Sequence, residues 1–278
     1  MASLSTTTHA AFLPDLWSKQ AMVAFEEALV MLKRVSRWDS DVKSKGDVLN
    51  IPRIENLTAA SVGATGSYAG EANTNTAYSI SIDSWKEASI KVPDIVKIQS
   101  SYDLFKYYSG KIGYALGLDV EDALMALYSG LSQTVGTSGV PVTDDAVLNA
   151  IQLVDESSTP QEDRTLVFRP ASKRTLMGID KFVDAAKRGD AGKGPVVTGL
   201  FGELYGNPIF FSNRVKSSAG IRNMLFHKNA FGAAVQKEIS TEKFRLSLSE
   251  DLVGHILYGV SELADDTVIG KAACEILT

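Results

Sequence analysis

The chain has 278 residues, 45% of them hydrophobic, and a net charge of −5 from 28 basic and 33 acidic side chains. This length and composition fit a globular protein of one or two domains and exclude a chain too polar to build a core. The mild acidity, with no long block of one charge, argues against a dedicated nucleic-acid-binding protein. The single cysteine, Cys274, excludes an intramolecular disulfide and predicts a buried thiol.

An amphipathic helix is predicted near the N-terminus, after a small and polar stretch that resembles neither a secretory signal nor a membrane span. Pro14 and Asp15 suit the first turn of this helix. Lys33, Arg34 and Arg37 suit its C-terminal end. Apolar residues recur at steps of three and four along it, at Trp17, Ala21, Ala24, Phe25, Ala28, Leu32 and Val35.

A long two-stranded ribbon is predicted between Asp47 and Ile98. Val48 to Ile54 suits the outgoing strand, and Tyr78 to Ile82 alternates apolar and polar residues with the period of a return strand. The segment between them, Leu57 to Ala77, consists mostly of small residues and cannot form a core. Since an isolated hairpin is marginally stable in water, we expect this ribbon to lie on another part of the protein or on another copy.

A long helix is predicted from about Tyr102 to Leu131, after a returning segment, 82–98, in which Pro93 ends regular strand pairing. Its apolar positions share one face, and its first half contains Gly110, Gly113 and Gly117. Each glycine costs about 1 kcal/mol relative to alanine in a helix interior. These glycines therefore predict either the close approach of another backbone or a bend in the helix.

The remainder of the chain has a mixed α/β pattern. A capping segment, Thr143 to Asp145, predicts a short helix through Val154. Further helical segments are predicted at 170–187 and 229–236. Buried strands are predicted at 166–168, 209–211 and 223–227, extended structure at 244–260, and a flexible loop at 189–199.

No segment of the sequence has the residue spacing that a known catalytic or ligand-binding motif requires. Lys193 in the glycine-rich loop is followed by Gly194 and Pro195, whereas a phosphate-binding loop needs a hydroxyl residue and a helix there. The three histidines are scattered, and no nucleophile elbow is present. We therefore predict no catalytic residue, no cofactor and no metal.

The order of these elements resembles the major capsid protein of tailed bacteriophages with the HK97-type fold. Residues 80–98 look like the return strand of that family's E-loop, and residues 101–130 are similar to its spine helix. Its A-domain is similar to three segments, 164–170, 199–215 and 225–235.

The resemblance implies an α+β fold with an N-terminal arm, an extended E-loop hairpin, a P-domain containing the long spine helix, and a mixed α/β A-domain. The implied divisions are an arm at 1–46, the E-loop at 47–98, the spine helix at 99–135, the A-domain at 136–239, and return strands to the P-domain with a C-terminal tail at 240–278. It implies a structural protein, not an enzyme, that self-assembles into pentamers and hexamers. These would form an icosahedral head around double-stranded DNA, assembled in the host cytoplasm and retained in the virion.

Three groups of residues gain roles by the same resemblance. The E-loop tip would contact a neighbouring subunit through Gly63, Gly66, Tyr68, Gly70 and Glu71. The loop near the capsomer axis would include Asp190, Gly192, Lys193 and Gly194. The spine helix would bend at Gly110, Gly113 and Gly117. Since no lysine occurs from Leu57 to Asp83, covalent crosslinking through the loop is not expected.

The implied partners are other copies of the chain, a separate scaffolding protein, a portal, and DNA packaged without sequence specificity. The resemblance leaves open a decoration protein and gives no reason to expect a membrane. Two alternatives remain at this point. An encapsulin-like shell would have the same fold and a protein cargo, whereas a soluble α/β enzyme would use a pocket around His227 or residues 189–199.

Overall fold

The computed structural model describes residues 29–42, 46–53, 57, 59, 61–62, 66, 76–100, 104–179, 202–266 and 270–278. These residues form an α+β fold with one sheet of four strands, one of six strands and two ribbons of two strands. The α-helices are α1 (Asp39–Val42), α2 (Asp94–Gln99), α3 (Leu104–Ala126), α4 (Asp144–Glu156) and α5 (Pro170–Leu176). Short 3-10 helices occur at Met31–Lys33, Leu127–Gly130 and Lys228–Ala230.

The strands follow one another along the chain in short and long segments. They are β1 (Ser36–Arg37), β2 (Val48–Arg53), β3 (Thr76–Ser81), β4 (Ser84–Pro93), β5 (Thr134–Gly136), β6 (Arg164–Phe168), β7 (Glu203–Leu204), β8 (Asn207–Phe211), β9 (Arg222–His227), β10 (Phe231–Leu246), β11 (Ser249–Glu262), β12 (Asp265–Asp266), β13 (Gly270–Lys271) and β14 (Ala273–Leu277).

The four-stranded sheet has the order β1-β10-β11-β4, and the long helix α3 packs on it. Strand β11 alternates buried and half-buried residues, as expected for a sheet with one face on a core. Its Leu252 and Ile256 share a core with Ile112 and Leu116 of α3. Between them, Gly254 allows the closest approach, since an added Cβ would lie 2.3 Å from Cγ2 of Ile112.

The six-stranded sheet has the order β5-β14-β9-β6-β8-β7 and encloses the second core. Every residue of β6 is buried, which is why its last three residues, 166–168, are all apolar without alternation. The last strand, β14, pairs in parallel with β5 and antiparallel with β9. The described C-terminal segment is therefore an interior strand of this sheet.

The predicted ribbon is present at its base. Strands β2 and β3 pair antiparallel from Val48 opposite Ser81 to Arg53 opposite Thr76. Ile80 and Ile82 anchor it, because both are buried in a small core with Ala234 of β10. The ribbon therefore emerges from the four-stranded sheet.

Periodicity predicted α3, α4 and the buried strands β6, β8 and β9 at nearly the observed bounds. The N-cap of α4 is also as expected, since the Thr143 hydroxyl accepts a hydrogen bond from the Ala146 amide at 3.2 Å. The helix predicted from residue 170 ends early, at Leu176, and residues 177–178 form a turn. Its remaining predicted part, 180–187, lies outside the described residues.

Two local predictions are wrong and one is confirmed. The helical turn predicted at 229–236 ends at Ala230, the last residue of a 3-10 helix, and the chain then enters β10, whose first five residues are buried without alternation. The end of strand pairing at Pro93 is confirmed, because Pro93 is the last residue of β4 and Asp94 begins α2. The end of the arm is not helical at Arg37, which pairs as β1 with Ala233 of β10.

The position of the arm helix before Leu29 lies outside the described residues. Two strands also cross the implied divisions of the chain. Strand β10 spans the limit placed at residue 239, and β14 lies in the six-stranded sheet, not with the strands on α3. The domain limits themselves stay predictions.

Two glycine substitutions should change stability in opposite directions. Gly254→Ala should lower the free energy of unfolding by about 1 to 3 kcal/mol, because its methyl group would collide with Ile112. Gly113→Ala should raise it by about 0.5 to 1 kcal/mol, because no atom lies within 4 Å of the added carbon and alanine favours the helix. Urea unfolding of free subunits measures both, and equal stability of the two variants would contradict the packing described.

Candidate interaction surfaces

One turn of α3 carries three acidic residues, and each contacts a different part of the protein. Asp119 accepts a hydrogen bond at 2.6 Å from the Tyr258 hydroxyl of β11. Asp122 accepts two hydrogen bonds from the Arg214 guanidinium, of which Nε to Oδ1 is 3.0 Å long, and Lys216 Nζ lies 3.2 Å away. The helix is thus joined both to the four-stranded sheet and to the loop between β8 and β9.

The environments of these groups shift their pKa values. Burial alone would raise the pKa of Asp122, but the hydrogen bonds from Arg214 and Lys216 lower it below its usual value. Burial raises the pKa of Tyr258, and its bond to Asp119 adds to that effect. At neutral pH, Asp122 is therefore an anion held by cations and Tyr258 is a neutral donor.

Glu121 attaches the arm to α3. Its side chain is buried, and its carboxylate accepts hydrogen bonds from the amides of Val30 at 3.0 Å and Met31 at 2.9 and 3.1 Å. Burial raises the pKa of Glu121, and these amide bonds act in the opposite direction. The carboxylate thereby caps the 3-10 helix that starts at Met31, as an acidic side chain caps a helix N-terminus.

The three glycines of α3 have different surroundings. An added Cβ at Gly117 would lie 2.7 Å from Leu29 Cδ1, so the absence of a side chain at Gly117 allows the arm to pack closely on α3. Gly110 and Gly113 have no atom within 4 Å of that position. Close approach therefore explains Gly117, whereas a bend at the three glycines stays a prediction, since α3 is a continuous helix from Leu104 to Ala126.

An exposed apolar surface lies at one end of the four-stranded sheet. This tip surface consists of Ile95, Val96 and Ile98 of α2 with Leu246 and Leu248 of the β10–β11 turn. Ile98 is 83% exposed and Leu248 77%. Single exposed apolar residues are ordinary, but a group of five on one surface marks an interaction site.

Ion pairs hold the two parts of the tip surface together. The Asp94 amide donates to the Leu248 carbonyl at 3.0 Å. Arg245 pairs with Asp94 at 2.8 Å, and Lys97 pairs with Glu250 at 2.8 Å. The hydrogen bond from Lys97 lowers the pKa of Glu250. The apolar side chains are therefore presented on a fixed frame.

The ribbon contributes further exposed apolar residues. Leu57 is 71% exposed and Val62 60%, while Trp85, at the start of β4, is 73% exposed. Gly66 is exposed and has a φ of +69°, a conformation that favours glycine. The other residues of the predicted E-loop tip and all four of the predicted axis loop lie outside the described residues: Gly63, Tyr68, Gly70, Glu71, Asp190, Gly192, Lys193 and Gly194.

Sequence reasoning missed the acidic turn and the tip surface. A signal for Glu121 was its position beside the apolar stripe of a long helix, where an unpaired carboxylate would be costly. A signal for the tip surface was the run of apolar residues directly after Pro93, where strand pairing must end.

The groups that an enzyme would use have structural roles. His227 Nδ1 accepts a hydrogen bond from the Asn229 amide at 3.2 Å, and burial lowers the pKa of His227. Cys274 is buried in β14, and burial raises its thiol pKa to about 12, so it is not a thiolate at neutral pH. Across the described residues, no cluster of side chains could hold a metal ion, and no helix has the length and apolarity to cross a bilayer.

Comparison with known proteins gives a clear structural match. No protein-family model and no curated protein matches the sequence. A structure of Mycobacterium phage Che8 matches with a TM-score of 0.81 and 22% identity, over 95% of this chain and 97% of that chain. The capsid structure of cyanophage P-SCSP1u matches with a TM-score of 0.78 and 19% identity, over 96% and 93% of the two chains.

The mature capsid of bacteriophage PhiM1 matches with a TM-score of 0.75 and 15% identity, over 95% of this chain and 91% of that chain. This chain has the HK97-type capsid fold. The HK97-type fold extends over nearly the whole chain, since each match covers at least nine tenths of both partners. The fold predicted from the order of sequence elements is confirmed.

Removing the Glu121 carboxylate should loosen the arm. In Glu121→Gln the amide oxygen can still accept from Val30 and Met31, but the amide nitrogen that replaces Oε2 faces the Met31 amide and cannot accept from it. We expect the free energy of unfolding at neutral pH to fall by about 1 to 3 kcal/mol. Glu87→Gln, at an exposed position of β4, should change it by less than about 0.5 kcal/mol. Equal effects of the two substitutions would contradict the capping role.

The difference in stability between the natural protein and Glu121→Gln should depend on pH. Because the pKa of Glu121 is raised above its ordinary value of 4.5, the folded state binds this proton more tightly than the unfolded state does. The stability that protonation of Glu121 contributes is fully present below pH 4.5. It is lost as the pH rises through the raised pKa of the folded state. The stability advantage of the natural protein over Glu121→Gln should therefore shrink as the pH rises above 4.5. An advantage that grows over this range would contradict the assigned burial.

The tip surface should affect association without affecting folding. Since Ile98 and Leu248 are mostly exposed, Ile98→Asp with Leu248→Asp should change the melting temperature of free subunits by less than about 2 °C. We expect the same double variant to lose self-association, because two carboxylates would have to be desolvated. Ile98→Val with Leu248→Val is the control and should associate normally. Association is measured by sedimentation. Normal association of the aspartate variant would show that the tip surface is not needed for contact between copies.

Proposed function

We propose that this chain is the major capsid protein of a tailed phage. In this role it assembles into pentamers and hexamers that close into an icosahedral head around double-stranded DNA. The observation that carries the proposal is the match of nearly the entire chain to capsid subunits at TM-scores from 0.75 to 0.81. A match of this extent leaves no additional domain among the described residues for a separate activity.

The surfaces of the subunit support a role in assembly. In this proposal residues 47–98 form the E-loop, α3 is the spine helix, and the four-stranded sheet with its tip surface belongs to the P-domain. The ribbon and the tip surface both expose large apolar side chains. Heterologous contacts between such surfaces generate rings and, with slight differences in angle, closed shells.

The remaining partners follow from the same proposal. Assembly in the host cytoplasm would use a separate scaffolding protein and a portal, and the finished head would contain DNA held without sequence specificity. A decoration protein could bind the outer surface. The net charge of −5 is compatible with this role, because an enclosed polymer needs no high-affinity site on every subunit.

The two alternatives have less support. An encapsulin-like shell shares the fold, but the matching structures named above come from phages. An enzyme with a pocket around His227 is disfavoured because that imidazole caps the turn at Asn229. The structural role is therefore the better explanation of the described residues.

Assembly of the purified protein tests the proposal. Expressed alone and together with the separate scaffolding protein proposed above, the chain should form closed icosahedral particles visible by cryo-electron microscopy in at least one of the two cases. Particles isolated from infected cells should contain double-stranded DNA. Persistent dimers or tetramers that form no rings or shells would contradict the proposal, and particles filled with protein instead of DNA would favour the encapsulin-like alternative.

A loop deletion tests the E-loop assignment within this proposal. Subunits lacking residues 61–75 should remain folded and soluble, because the base of the ribbon is anchored by Ile80 and Ile82. They should fail to form stable shells under conditions in which the complete chain does. Unimpaired assembly would remove the inter-subunit role from this segment.

A further inference from the structure

A polar pocket of about 300 Å³ lies between the end of the arm and the six-stranded sheet. The arm supplies Lys33 and Arg34. The start of β6 and the turn before it supply residues 161–165. The β7–β8 turn supplies Gly206, β8 supplies Pro208, and Lys228 completes the lining. Two separate parts of the chain thus form its walls.

Four basic residues line this pocket, but one of them is already neutralised. Arg164 pairs with Asp155 at 2.6 Å and also donates to the carbonyls of Pro160 at 2.7 Å and Thr159 at 2.6 Å. It is a structural residue of β6. Within the described part of the chain, the remaining cations, Lys33, Arg34 and Lys228, form no ion pair with a carboxylate.

Arg34 is oriented by an aromatic ring. Its guanidinium carbon lies 4.1 Å from the centroid of the Phe210 ring, which places the planar group over β8. A cation–π contact of this kind positions the guanidinium without a hydrogen bond to another protein group. The donors therefore remain available for an anion in the pocket.

The acidic residues of the pocket do not cancel this charge. Glu162 and Asp163 line it and are exposed to solvent. The neighbouring His227 stays neutral at neutral pH, because burial lowers its pKa despite the charge of Asp163. Three cations without ion pairs thus face two carboxylates. Arg34 is half-buried, whereas Lys33, Lys228 and both carboxylates are exposed.

We propose that this pocket binds a phosphate group, held by Arg34 through paired N–H donors and by Lys33 and Lys228 as point charges. A guanidinium fork matches the oxygens of phosphate, and ammonium groups add charge without demanding a fixed geometry. The group belongs either to the backbone of a polynucleotide or to free inorganic phosphate. Its assignment to packaged DNA rests on the proposed function, whereas binding by the free subunit does not.

Binding to free subunits tests the site with two probes. The probes are inorganic phosphate, compared with chloride at equal ionic strength, and a fluorescein-labelled 12-base-pair duplex in an anisotropy titration. The pocket variant is Lys33→Gln with Lys228→Gln. The control is Lys91→Gln with Lys237→Gln, which removes the same charge from exposed positions on β4 and β10. We expect the pocket variant to bind at least tenfold more weakly and the control to change less than twofold.

A second variant separates the stacked guanidinium from charge alone. Arg34→Lys keeps the charge but loses the fork, so it should weaken phosphate binding at least threefold while thermal unfolding confirms a folded subunit. Selective loss of phosphate binding alone supports a free-phosphate site, and selective loss of duplex binding alone supports a nucleic-acid site. Equal losses in the pocket and control variants, or no loss in either, would overturn the proposal. Phosphate binding by a chain that forms no shells would leave the pocket in place and remove packaged DNA as its source.

Discussion

The arrangement of the subunit depends on one acidic turn of α3. Asp119 binds Tyr258 of the four-stranded sheet, Glu121 binds the arm, and Asp122 binds Arg214 of the six-stranded sheet's loop. Placing three carboxylates side by side in a partly buried position is unfavourable unless each is given donors. Because every donor comes from a different part of the chain, satisfying these charges also fixes how those parts are arranged around the helix.

This internal bracing leaves the outer surfaces available for neighbours. The two large cores are complete within one chain, and Ile98 and Leu248 take no part in them. Burying one such side chain contributes about 1.5 to 3 kcal/mol at most. A single contact through the tip surface is therefore weak, and stable association through it requires each copy to make several contacts.

The sequence predicted those helices and strands whose apolar residues recur with a regular period. Strand and helix positions were readable where one face was apolar, as in α3 and at the base of the ribbon. Residues 231–235 were misread because they are buried on both faces, which removes the period of two. The role of Glu121 was not readable, since its partners are backbone amides 90 and 91 positions away and carry no side-chain signature. The tip surface likewise depends on two segments that only the fold brings together.

The arm joins these observations, because eight residues attach it at three points. Val30 and Met31 donate to Glu121, Lys33 and Arg34 line the phosphate pocket, and Ser36 and Arg37 pair with β10. With anchors on both sides, Arg34 cannot move far unless the Glu121 bonds or the β1 pairing give way. An anion bound in the pocket would therefore not need to order the arm. It would act on a segment already in place, so its charge would add to the stability of the arm and the six-stranded sheet together.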